Sequence, residues 1–403
     1  MDNTFHSAKH CAWILWIAQW INAFDLTWHN RLCLEPSNLE ILKSIPKNAG
    51  LILVTNHADE MDIKIFMELS RRSRRRFTFM MNAESFEEWH GFAGWCLQCL
   101  GCFSIERAGS DQTAKQYAVD VVKGAREALV ICPEGEIFYL NDLIQPFKRG
   151  VAYIGMQAIT EMRETQPDRR VFILPVAIKY RYRKTIESIL NQKIRRMEQY
   201  LFRRTSYLSF QERLAYIMAE LLNRREQLSH VQIASLQLSR LKEQVCEVRT
   251  VMLSKVAEKY RQMPFDPKTE LIDRAQKMIF FLREQLRRKK LFSSETRLQL
   301  RKDIDELKLS IRMAGWQPHY TSLNPSEERL AETVMKLERE VFEEKRPRPL
   351  GNRNVFMRIG TPIELSDYIQ PFKEDPSAVS HQITEQLRTN IQSLIEEILL
   401  PRE

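Results

Sequence analysis

Gly50-Leu51-Ile52-Leu53-Val54-Thr55-Asn56-His57-Ala58-Asp59-Glu60-Met61-Asp62 joins an apolar run to a polar turn and then to a helix-like pattern over 62–72. Gly50 to Val54 reads as a buried strand, because an unbroken aliphatic run needs cover on both faces. His57 then falls on the turn and Asp62 in the helix. Residues five apart on a regular helix point about 140° apart. The two side chains therefore meet only if the imidazole folds back from the turn over the helix start. A carboxylate that accepts one ring N–H fixes the tautomer and leaves the other nitrogen as a base for an alcohol proton. None of the other seven histidines has an aspartate five residues after it. Taken alone, the spacing more often marks a turn histidine beside a solvated aspartate.

The same texture continues outward to residue 182. Phe77–Met81, Ala128–Cys132 and Arg170–Ile178 read as further strands, the last interrupted by Pro175. Helical patterns lie between them, as at 111–127. This alternation predicts an α/β domain with a mixed, largely parallel sheet flanked by helices.

From about Lys184 the strands stop. Leu238, Leu241, Val245, Val248 and Met252 step by three and four, as do Leu271, Ala275, Met278, Leu282 and Leu286, and Leu330, Val334, Leu337 and Val341. These are amphipathic helices, broken by Pro264, Pro267, Pro318 and Pro325. A strand-like Val355–Ile359 and a Gly360-Thr361-Pro362 turn then restore the α/β texture. The expected organisation is a membrane-interface helix over 1–30, an α/β domain over 31–183 and 351–403, and an all-helical insertion over 184–350. The seams of the insertion suit a helix bundle better than a long coiled coil.

The interface helix is read from His10 to Phe24, which holds no Asp, Glu, Lys or Arg. Trp13, Trp16, Ile17, Trp20 and Phe24 share one helical face, while Gln19 and Asn22 lie off it. The segment is shorter than the ~20 apolar residues of a span. Tryptophan favours the membrane–water boundary, so the helix is expected to lie in a membrane surface; the other reading docks it on the protein's own core. The run Arg71, Arg72, Arg74, Arg75 and Arg76 adds cationic attraction to an anionic leaflet. The whole chain of 403 residues carries a formal charge of +9, which suits anionic partners but does not choose among them. Its seven cysteines are scattered. Cys96, Cys99 and Cys102 are spaced like metal ligands, yet apolar neighbours favour buried thiols.

Further candidates follow in order. Arg107 comes after a strand-like Phe103–Ile105 and can hold a phosphate by a bidentate fork; a surface ion pair is the plainer reading. Glu134 and Gly135 turn the chain after Cys132-Pro133, at a sheet edge where α/β folds bind ligands, or simply make a turn.

Together these residues resemble the glycerolipid acyltransferases of the PlsC-like family, which include 1-acylglycerol-3-phosphate acyltransferase. The family's N-H-x4-D block matches Asn56, His57 and Asp62. Its second block matches Gly101, Phe103, Ile105 and Arg107, and its P-E-G block matches Pro133, Glu134 and Gly135. Pro146-Phe147-Lys148-Arg149-Gly150, Leu174-Pro175-Val176 and Gly360-Thr361-Pro362 are similar to later blocks. The resemblance covers about 31–182 and 353–370. Where the family continues its third block with threonine and arginine, this chain has Glu136 and Ile137. That difference bears on how an acceptor phosphate would be held.

The resemblance implies transfer of a fatty acyl chain from acyl-CoA or acyl-carrier protein to a hydroxyl of a lysophospholipid or glycerol-phosphate. It implies catalysis by His57 and Asp62, with Arg107, Glu134, Gly135 and Lys148 on the substrate. No metal or redox cofactor is implied. The place of work would be the cytoplasmic face of a membrane. A basic membrane-associated or nucleic-acid-binding scaffold is the rival class, for which Arg287-Arg288-Lys289-Lys290 would serve. The insertion mixes Glu with its Lys and Arg, a pattern of helix-face pairing, and nucleic acid is not expected. A catalytically silent lipid-binding homologue is the third reading.

Overall fold

The computed structural model describes residues 5–107, 111–229, 240–260, 262–287, 292–322 and 325–399. The chain divides into two compact units, Met1–Arg183 with Asn352–Glu403, and Lys184–Gly351.

The first unit is built on an eight-stranded sheet. Its strands are β1 (Asn30–Leu34), β2 (Gly50–Thr55), β3 (Arg76–Asn82), β4 (Cys102–Ile105), β5 (Glu127–Ile131), β6 (Val171–Tyr182), β7 (Arg353–Ile359) and the short β8 (Ile363–Glu364). They lie in the order β1-β7-β6-β2-β5-β3-β4, with β8 also on β6. Neighbours run parallel except where β7 and β8 meet β6. The fold is thus a mixed, mostly parallel sheet.

Side chains alternate between its two faces, as a period of two requires. Ile52, Val54, Leu129, Ile131, Ile173 and Ala177 pack against the helices Gln112–Gly124, Gly150–Thr165 and Pro376–Leu399. Leu51, Leu53, Ala128, Val130, Leu174, Val176 and Ile178 meet Leu26, Leu42, Ile65, Phe66 and Leu69 on the other side. Those belong to the helices Ala12–Trp28, Pro36–Ser44 and Asp62–Ser73. Burial on both faces is why β2 reads as an unbroken apolar run. Each such side chain contributes roughly 1.5–3 kcal/mol.

Pro175 does not interrupt its strand: β6 runs through it to Tyr182. On one side Pro175 stays in register with Val54. On the other, β8 pairs Phe172 and Ile173, and β7 takes over from Val176. The missing N–H falls between these partners, while the Pro175 carbonyl accepts from Gly360 N at 2.9 Å. The Leu-Pro-Val stretch and the Gly-Thr-Pro turn are thereby joined.

β2 stops at Thr55, opposite Val176, and leaves the β6 edge bare beyond that point. Two asparagine side chains take over the pairing. Asn56 Nδ2 donates to Ile178 O at 2.9 Å, and Asn56 Oδ1 accepts from Ile178 N at 2.9 Å. Asn141 does the same for Tyr180, at 2.7 and 2.8 Å. Both asparagines are buried, so these amides satisfy backbone groups that would otherwise be orphaned.

The helix Ala12–Trp28 presents Trp13, Trp16, Ile17, Trp20, Ile21, Phe24 and Trp28 to solvent. Its inner face carries Leu15, Ala18 and Leu26, with Asn22 Nδ2 donating to Lys64 O at 2.8 Å. Among the described residues no helix is long and apolar enough to cross a membrane. The arginine run divides. Arg71 and Arg72 both bind Glu68, at 2.7 Å, and Arg75 donates to the carbonyls of Ile45, Pro46 and Ala49. Arg74 and Arg76 are exposed. Cys99 and Cys102 are buried. Burial pushes the Cys102 thiol up to about 12, and burial with Cys11 alongside pushes Cys99 up to about 11.

The second unit holds the helices Glu187–Phe202, Phe210–Ser229, Leu241–Lys259, Leu271–Arg287, Ser294–Met313 and Glu327–Val341. Leu253, Val256, Ala275, Met278, Leu282, Leu300, Leu307 and Ile311 form one core, and Leu330, Val334, Leu337 and Val341 are buried. Ser293 and Ser326 cap two of the helices, accepting from Thr296 N and Arg329 N. Leu238 and the basic residues 288–290 lie outside the described residues.

Candidate active site

The turn after β2 and the helix Asp62–Ser73 bring the sequence pair together. His57 Nδ1 lies 2.8 Å from Asp62 Oδ2. An ionised carboxylate only accepts, so Nδ1 carries the proton and Nε2 is left as the basic nitrogen. The His57 side chain is 16% exposed and that of Asp62 only 2%, so the ring reaches solvent while its orienting partner does not. Asp62 Oδ2 also accepts from Asp59 N at 3.2 Å, and Oδ1 from Tyr180 O–H at 2.7 Å. Asp62 opens its helix, where the backbone dipole favours a negative charge.

Glu134 stands behind the histidine. Its Oε1 accepts from His57 N at 2.8 Å and its Oε2 from Gln145 N at 3.1 Å. Each oxygen accepts from one backbone N–H, so the carboxyl fixes the residue that carries the imidazole. Burial pushes Glu134 up to about 8, against the pull of the two N–H donors. Gly135 follows with φ +74, a backbone that side chains rarely adopt. The Lys148 stem lies across it: a Cβ at 135 would come within 3.1 Å of Lys148 Cε. Lys148 N donates to Pro133 O at 2.9 Å, which laces the 146–150 stretch to the bend.

Arg107 reaches the same bend from the end of β4. Its Nη1 lies 2.6 Å from Glu136 Oε2, with side chains 28% and 19% exposed. Burial, with Asp62 and Glu134 adding and Arg107 opposing, pushes the Cys132 thiol well up. Because β2, β5, β3 and β4 run parallel, the turn after β2, the end of β4 and the bend after β5 lie on one edge of the sheet, and Tyr180 reaches Asp62 from near the end of β6.

Two long-range residues complete the network. Arg353 Nη1 donates to Asp59 Oδ2 at 2.7 Å and Arg353 Nε to Asn30 Oδ1 at 2.9 Å. Its guanidinium sits 4.4 Å from the Tyr180 ring centroid. Burial first, then Asp62 and Asp59, raises the Tyr180 phenol well above its ordinary value, so it remains a donor to Asp62. Sequence reading missed Tyr180 and Arg353. The alternating strand pattern around them marks which face each occupies, but nothing local ties them to His57.

Residues 37–179 match the family model described as Acyltransferase. This stretch is an acyltransferase-family domain. No curated protein matches the chain. The acyltransferase domain includes His57, Asp62, Arg107, Glu134, Gly135 and Lys148 within the matched residues. Its general activity is acyl transfer, and Arg353 reaches it from a strand beyond the matched stretch.

Proposed function

We propose that this acyltransferase moves a fatty acyl chain from the thioester of acyl-CoA or acyl-carrier protein to a hydroxyl of a lysophospholipid or glycerol-phosphate. The reading is carried by the 2.8 Å contact that leaves His57 Nε2 as a base on a solvent-reaching ring. Nε2 takes the hydroxyl proton as the oxygen attacks the thioester carbonyl. The C–O bond forms, the C–S bond breaks, and the imidazolium returns its proton to the departing thiolate. Asp62 stabilises the imidazolium between these steps. Arg107 and Lys148 meet the acceptor's phosphate in this reading, and Glu134 holds the histidine backbone. The reaction draws on no metal or redox cofactor; the co-substrate is the acyl donor.

The work is done at the cytoplasmic face of an anionic membrane, on which the protein lies peripherally or monotopically. The exposed aromatic row of the helix Ala12–Trp28 supports this, since such a face inserts among head groups at little cost. His57→Ala is the test. The variant should float with anionic vesicles as wild type does, and its acyl transfer should fall by ~10²–10⁴-fold. Undiminished transfer in a screen of lysolipids with both donor types defeats the assignment.

A further inference from the structure

The stretch before the first helix is stitched along the β4 edge of the sheet. Ser104 N donates to His6 O at 2.9 Å, Lys9 N to Gln98 O at 2.8 Å and Cys11 N to Cys99 O at 3.0 Å. Cys11 directly precedes the helix Ala12–Trp28, and its side chain does not cap that helix. The thiol turns instead to the last residue of the helix Phe92–Cys99, with Cys11 Sγ 2.8 Å from Cys99 Sγ. That is inside the ~3–3.5 Å of a near-attack pair. The two backbones are already bonded side by side, so joining the sulfurs calls for little movement. Cys99 is buried and Cys11 is partly exposed. Burial first, then Cys11 beside it, favours the thiol form at Cys99, so Cys11 is the sulfur that an oxidant meets.

We propose that Cys11 and Cys99 form a reversible disulfide under hydrogen peroxide, clasping the start of the helix Ala12–Trp28 to the helix Phe92–Cys99. The Cys11 thiolate attacks the peroxide, the O–O bond breaks, and Cys11 becomes a sulfenic acid while the departing hydroxide takes up the thiol's proton as water. The Cys99 sulfur then attacks the Cys11 sulfur. The S–S bond forms, the S–O bond breaks, and the Cys99 proton leaves with the hydroxyl as a second water. The two thiols lose two electrons and the peroxide gains them; a dithiol reverses the step by exchange. The loop so closed spans 88 positions, and long loops gain most from closure. Cys96 stands one turn earlier on the same helix and is the competing partner for Cys99.

The full chain is treated with hydrogen peroxide or with dithiothreitol, alkylated at its remaining thiols and digested without reduction. Peroxide should link the peptides that carry Cys11 and Cys99, two hydrogens lighter than their sum, and dithiothreitol should part them. Exposed Cys246 reports that the peroxide acted. Cys11→Ser should abolish the link and Cys96→Ser should keep it, with circular dichroism checking that both fold. The linked protein should melt roughly 5–10 °C above the reduced one, a rise absent from Cys11→Ser. Cys11 and Cys99 both alkylated where Cys246 is oxidised overturns the proposal, and so does a Cys96–Cys99 link in its place. A Cys11–Cys99 link that leaves the melting temperature unchanged overturns it too, because nothing was then clasped. None of these readouts depends on acyl transfer, so the proposal and the reading of the active site fail separately.

Discussion

Asp62 accepts from the His57 ring, from Asp59 N and from the Tyr180 hydroxyl. A carboxylate held at three points cannot swing, and neither can the imidazole it carries. Tyr180→Phe removes one of those points and leaves the ring's packing. A hydrogen bond to a charged group is worth ~1.5–3 kcal/mol, so urea unfolding should show a loss of that order, and kcat should fall several-fold as the histidine loosens. An unchanged kcat would leave Tyr180 with a packing role only. Glu134 gives a pH test. Its folded-state value of about 8 lies above the ordinary 4.5. The folded protein therefore holds a proton that the unfolded chain has lost across that window. This contribution is fully present below 4.5 and fades as pH rises through about 8. Glu134→Gln has no such proton to lose, so the stability of wild type relative to the variant should increase as pH falls from about 8 to about 5. Parallel pH–stability curves would contradict it. Of these residues, His57 and Asp62 were legible because five positions and a strand–turn–helix pattern suffice to join them. Tyr180 and Arg353 were not, since 118 residues separate Tyr180 from Asp62 and 294 separate Arg353 from Asp59.

Among the elements, β6 shows why local rules mislead at a boundary between neighbours. A proline in a central strand normally argues against the strand. Here the partner on one side changes from β8 to β7 around Pro175, and no ladder bond is lost there. That arrangement depends on residues 353–364, so nothing near Pro175 could reveal it. The N-terminal helix was easier to read, because its aromatic face follows from spacing alone. Its tryptophans are exposed, with only the Arg71 guanidinium, 5.9 Å from the Trp20 ring centroid, set against the pair at 16 and 20. Replacing Trp16 and Trp20 with serine should change stability by no more than about 0.5 kcal/mol per site. Flotation with anionic vesicles should fall several-fold. Flotation equal to wild type would mean that another surface holds the lipid.

For the whole molecule, the long helical unit replaces the turn of a β-hairpin. β6 and β7 pair antiparallel up to Tyr182 and Arg353, and Arg183 N donates to Asn352 O at 3.0 Å. The chain therefore leaves and re-enters the α/β unit at two hydrogen-bonded neighbours, Arg183 and Asn352. Substituting a short Asn-Gly turn for residues 184–351 should leave an α/β unit that unfolds in one cooperative step, followed by circular dichroism against heat. A molten or insoluble product would show that the helical unit is needed for the sheet to close. The change of texture near residues 184 and 351 made this interruption visible from sequence. The placement of β7 between β6 and β1 was not visible, because strand order is fixed by packing at long range.

That placement governs how the protein comes into being. β1 pairs with β7 and with no other described strand, and Asp59 meets its arginine only through residue 353. During synthesis the ribosome must complete every helix of the insertion before either contact can form. Until then the nascent chain carries the His57–Asp62 turn without its last brace. Birth of a finished catalyst thus waits until β7 has been made.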